Sequence, residues 1–209
     1  RAPCEADLQQ AYRALGYALR TKHLGLTYRG SSMPKGESNV LYAYSDASYA
    51  PNGDGLHKRK STTGYALMMN GAAVSWTSKL QKSSAGSTVH AEVAAMYACM
   101  TDAIGTRSIL SFMGYKQSEP CPLFEDSGGA QALVYKSEVD YSRAQAYDVM
   151  VWRCREFVEQ KDSKVFLIPG NQNPSDMLTK SLSSPTMKRY SAILMGIYED
   201  RPDGSADDT

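Results

Sequence analysis

TTGYALMMNGAAVSWTS, residues 62–78, reads as two strands and the turn that joins them. Thr, Tyr, Val and Trp favour extended backbone on either side of Asn70-Gly71. A two-residue hairpin turn needs positive φ at both central positions, which Asn and Gly tolerate better than other residues. The stretch therefore predicts strands at 62–69 and 72–78, paired antiparallel. Trp76, between Ser75 and Thr77, is expected to pack into the core.

Outward from this hairpin the remaining elements follow. NVLYAYSD (39–46) is apolar on both faces, as a central strand should be, and ends on Asp46. Downstream come a helix over 88–113, a strand CPLFED at 121–126, helices at 129–137 and 143–161, and the strand KVFLIP at 164–169. A final helix is expected to start at Asn173-Pro174, with an Asn cap and Pro at its first position. Upstream, Leu8, Tyr12, Leu15 and Leu19 recur at helical spacing within 5–23. Hairpin-linked strands followed by alternating helix and strand predict an α/β domain with a five-stranded mixed sheet and helices on its faces. Residues 1–37 are read as a lead-in helix and linker, 38–197 as the domain, and 198–209 as an acidic, disordered tail.

Bulk composition narrows the chemistry. The 209 residues carry 23 basic and 22 acidic side chains, so net charge alone selects no partner. Between Gly55 and Ala91 there is no Asp or Glu, whereas Lys58, Arg59, Lys60, Lys79 and Lys82 fall there. The four cysteines form no CxxC and the three histidines are not paired at ligand spacing, which disfavours zinc. Free thiols in a reducing compartment and no membrane segment are expected. The chain opens on Arg1, which points to a segment of a longer protein.

Four carboxylates stand where an apolar or small residue would be ordinary. Asp46 and Asp126 sit at strand ends, where ligands collect in α/β sheets. Glu92 interrupts the apolar stripe continued by Met96, Cys99 and Ala103, and no Lys or Arg nearby in its helix could neutralise it. Asp176 falls in the first turn of the last helix, where the helix dipole alone would explain it. Converging carboxylates need a multivalent cation between them. Oxygen-only ligands suit Mg²⁺ or Mn²⁺, and a pair of such ions is a common arrangement for displacement at phosphorus.

The motifs YSDAS (44–48), RKSTTGY (59–65), VSWTSKLQK (74–82), Ala91-Glu92, Asp126 after a strand, and PSDMLTKSL (174–182) resemble, in order and spacing, the ribonuclease H domain of copia-type LTR retrotransposon polyproteins. LGYALRTKHLGLTY (15–28) is similar to that family's link to the upstream reverse transcriptase. The resemblance implies a ribonuclease H-like fold and hydrolysis of the RNA strand of RNA–DNA hybrids during reverse transcription, leaving 5′-phosphate products. It implies Asp46, Glu92, Asp126 and Asp176 as catalytic metal ligands for two Mg²⁺ ions, with Mn²⁺ as a substitute. Lys58, Arg59, Ser61, Thr62, Ser87, Thr88 and Ser127 become candidate substrate contacts. The implied setting is a cytoplasmic virus-like particle, with the upstream polymerase as partner.

The chain departs from the family pattern in three places. Ser127-Gly128-Gly129 replaces Asn-Gln-Ser after the third acid, His90 replaces an acid before Glu92, and two helical histidines are absent from 146–152. A catalytically weak or inactive nucleic-acid-binding module is the alternative these departures favour.

Overall fold

The computed structural model describes residues 3–29, 38–49, 60–82, 84–135 and 145–197. Five strands form one mixed sheet: β1 (Tyr42–Ser48), β2 (Thr62–Met69), β3 (Ala72–Leu80), β4 (Cys121–Glu125) and β5 (Ser163–Leu167), in the order β3-β2-β1-β4-β5. The first three strands pair antiparallel, and β1–β4 and β4–β5 are parallel. Asn70 and Gly71 both have positive φ, at 52° and 86°, so the predicted two-residue turn closes the β2–β3 hairpin.

Alternation along β2 shows that the sheet is covered on both faces. Tyr65 and Leu67 join the main core with Val93, Met96, Cys99 and Met100 of α2 (Thr88–Phe112). Gly128–Tyr135 (α3) and Gln145–Glu159 (α4) complete that layer. Ala66 and Met68 face the other way, toward Leu194 of α5 (Ser184–Met195), with Tyr42 and Tyr44 beside them. An aromatic row from Tyr44 through Phe124 to Phe166 continues this second face across β1, β4 and β5.

The lead-in helix α1, Glu5–Thr21, buries no residue, and its stripe of Leu8, Tyr12, Leu15 and Leu19 is 46–64% exposed. The segment after it is tied down. Thr27 N donates to Met195 O (2.8 Å), Tyr28 Oη to Ala73 O (2.8 Å) and Arg29 N to Asn70 O (2.9 Å). The expected acidic tail lies outside the described residues.

Three expectations are corrected. The 173–178 segment is not the start of a helix but a 3₁₀ turn, Pro174–Leu178, followed by a break before α5. Asn173 does cap it, accepting from Ser175 N, but the turn bends away because Asn173 Nδ2 is held by Ser45 O at 2.7 Å. Asp46 lies inside β1 rather than at its end, because pairing with β2 continues to Ser48↔Thr62. Trp76 is 56% exposed instead of buried, because β3 is the edge strand and α5 reaches only its first residues, near Ala73.

Candidate metal centre

The parallel strands β1 and β4 stay in register only through Ala43↔Leu123 and Tyr44↔Phe124. Beyond that pairing they separate, and Asp46 and Asp126 each stand two residues past it. Such a divergence between neighbouring parallel strands opens a crevice at their carboxyl ends. Glu92 enters it from the first turns of α2, a helix started by Ser87, whose Oγ accepts from His90 N. One oxygen from each of Asp46, Glu92 and Asp126 can be chosen so that all lie within 4.8 Å of one another.

Crowding and burial perturb Glu92 and Asp126. Burial and then the Glu125, Asp46 and Asp126 charges push the Glu92 carboxyl up to about 9, opposed by a backbone hydrogen bond from Ala47. Burial and the Asp46 charge also raise Asp126, partly offset by Lys180. Asp46 is fully buried. Glu92 Oε2 is buried and accepts no hydrogen bond among the described residues. An orphaned buried carboxylate oxygen beside two further acids, with no His or Cys in the cluster among the described residues, fits a hard divalent cation such as Mg²⁺ or Mn²⁺.

Asp176 is not part of that trio. It lies in the 3₁₀ turn on the second face, where Lys180 Nζ joins it (2.7 Å to Oδ1) to Asp46 (3.1 Å to Oδ1). Thr179 Oγ1 donates to the other oxygen of Asp46. Burial raises the Asp176 carboxyl, and the Asp46 charge adds to this; together they outweigh the hydrogen bond from Lys180. Burial disfavours the Lys180 ammonium, but the hydrogen bond to Asp176 and the two acid charges win and hold it well above an ordinary lysine.

Gly64 makes this approach possible. It pairs with Asp46 across the ladder, and a Cβ there would lie 2.5 Å from Thr179 Cγ2 and 2.9 Å from Leu178 Cβ.

The candidate substrate contacts divide. Lys58 and Arg59 lie outside the described residues. Ser61 is corrected: it is fully buried and has no surface to offer a ligand. Thr62 is half-buried at the start of β2, and Thr88 is exposed at the start of α2. Ser87 and Ser127 both act as helix caps, Ser127 Oγ accepting from Ala130 N at 3.2 Å.

Two residues of the site are absent from the sequence reading. Lys180 is four residues after Asp176, a spacing that signals a helical ion pair, but its bond to Asp46 spans 134 positions. Glu125 is fully buried, accepting from Ser45 Oγ (2.5 Å) and Ser127 N (3.2 Å), and burial pushes it up to about 8. Its signal was period-two alternation: Cys121, Leu123 and Glu125 all face α2.

No family model matches the chain. Over 145 residues it is 39% identical to the retrovirus-related Pol polyprotein from transposon TNT 1-94 of Nicotiana tabacum, covering 69% of this chain and 10% of that one. Over 190 residues it is 27% identical to the Pol polyprotein from transposon RE1 of Arabidopsis thaliana, covering 91% of this chain and 12% of that one. The chain thus spans only about a tenth of the length of these relatives. Among solved structures, the ribonuclease H1 LC11 isolated from compost superposes with a TM-score of 0.51 at 14% identity, over 68% of this chain and 93% of that chain, which shows a shared fold. The chain belongs with the retrovirus-related Pol polyproteins of transposons, and its fold is that of ribonuclease H.

Proposed function

We propose that this domain is a metal-dependent endonuclease that hydrolyses the RNA strand of RNA–DNA hybrids during retrotransposon reverse transcription, leaving 5′-phosphate ends. The observation that carries this reading is the convergence of Asp46, Glu92 and Asp126 in the β1–β4 crevice. These three residues would hold Mg²⁺ or Mn²⁺. A divalent ion there supplies charge stabilisation at the phosphate and activation of the attacking water. Asp176 and Lys180 complete the polar wall on the second face, and Asn173 fixes the turn that carries them. Lys79 and Lys82 lie on the acid-free strand and loop beyond, where phosphate neutralisation would add sequence-independent affinity. Residues 1–37 would connect the domain to the upstream polymerase, in the virus-like particle setting of such elements.

A labelled RNA–DNA hybrid incubated with the protein in Mg²⁺ and in Mn²⁺ tests this. Cleavage of the RNA strand alone, reduced at least about 100-fold by Asp126→Asn, is the expected result. The second reading is an inactive nucleic-acid-binding module. It is favoured by Ser127, whose hydroxyl caps α3 at the first of the positions where the chain departs from the family pattern it resembles. Hybrid binding without cleavage in either metal would select it.

A further inference from the structure

Lys180 does more than pair with its helical neighbour. Contact with Asp176 is what spacing alone would produce, but contact with buried Asp46 is not. The lysine is delivered there by a turn held at several points. Asn173 Nδ2 donates to Ser45 O (2.7 Å), Asn173 Oδ1 accepts from Ser175 N (3.1 Å), and Thr179 N and Lys180 N both donate to Asp176 O (3.1 and 2.9 Å). The missing side chain of Gly64 lets Leu178 and Thr179 close onto β2. The acid cluster is therefore divided. The Asp46–Asp176 side already contains a cation, whereas the Asp46–Glu92–Asp126 side has three converging oxygens and, among the described residues, no ion pair to a cation at Glu92 or Asp126.

We propose that the Lys180 ammonium is a built-in cation occupying the Asp46–Asp176 half of the cluster, so that the protein alone takes one divalent ion, at Asp46, Glu92 and Asp126. A second ion gains a place only when the ammonium is withdrawn. This inference rests on the metal-binding part of the proposed function, but not on cleavage.

Calorimetric titration of Mn²⁺ into the full 209-residue chain without nucleic acid tests it. Wild type should take one ion and Asp126→Asn none. Asp176→Asn should take one ion with affinity within a few-fold of wild type, because Asp176 faces the ammonium. Lys180→Met should take two, and Lys180→Arg one. Two ions on wild type, no ion on wild type, or one ion on a folded Lys180→Met would each overturn the proposal. If Lys180→Met does not fold, Asp176→Asn decides: an affinity loss of ten-fold or more refutes the division, and retention supports it. The hybrid-cleavage assay is scored separately. The expected stoichiometries without cleavage sink the nuclease reading alone, and cleavage with two ions on wild type sinks only this one.

Discussion

Replacing Glu92 by Gln should stabilise the metal-free protein, although it removes a candidate ligand. The Glu92 carboxyl is raised from 4.5 to about 9, chiefly by burial and then by the charges of Glu125, Asp46 and Asp126. The folded state therefore holds this proton more tightly than the unfolded chain does. Stability is complete below the ordinary carboxyl range and is lost as pH rises toward 9. Each pH unit in that interval is worth about 1.4 kcal/mol, so at pH 8 the loss has an upper bound of about 5 kcal/mol. Glu125 shares the strain and one side of the crevice meets solvent, which brings the expected gain for Glu92→Gln to about 2 kcal/mol at pH 8. For a chain of this size that is about 4–8 °C in Tm. Urea or thermal unfolding in EDTA at pH 5 and pH 8 measures it. The gain should nearly vanish at pH 5, and should shrink at pH 8 when Mg²⁺ is added, because the ion stabilises wild type by binding its folded state. A Glu92→Gln protein no more stable than wild type at pH 8 in EDTA, or equally stabilised at both pH values, refutes the reasoning.

Three further outcomes follow from the same geometry. Gly64→Ala forces Thr179 and Leu178 away from β2 and should cost about 1–3 kcal/mol, with loss of cleavage as Asp176 and Lys180 shift; unchanged urea unfolding would show that the turn does not depend on the close approach. Asn173→Ala strands Ser45 O and Ser175 N in the interior and should cost about 2–3 kcal/mol by denaturant unfolding; a loss within measurement error would mean the turn is held by other contacts. Tyr28→Phe removes one hydrogen bond to the hairpin and should cost about 1 kcal/mol. Hydrogen exchange of residues 24–29 should quicken with it, and unaltered exchange would indicate that the segment is docked independently of Tyr28.

Much of this molecule is local and therefore legible in one dimension. The Asn70-Gly71 turn, the long apolar stripe of Thr88–Phe112 and the short strand before Asp126 are each written in neighbouring residues, and the structure places all three as expected. Glu92 could be singled out because a carboxylate in a helix face of Met96, Cys99 and Ala103 has no local means of neutralisation. Glu125 was equally visible by alternation, but its neighbour Asp126 at the strand end drew the reading. Family motifs then ordered the acids.

Sequence by itself determined the hairpin, the α/β succession and the identity of the acids, because periodicity and turn chemistry act between residues a few positions apart. Only the tertiary structure decided which acids share a cation. Asp46 and Lys180 meet across 134 positions because Gly64 admits the 174–180 turn and Asn173 ties it to β1. It also decided that Trp76 faces outward, since exposure depends on which strand ends the sheet and not on the residues beside it. Three carboxylates lie together because β1 and β4 separate after Tyr44 and Phe124, and that divergence arises from long-range pairing.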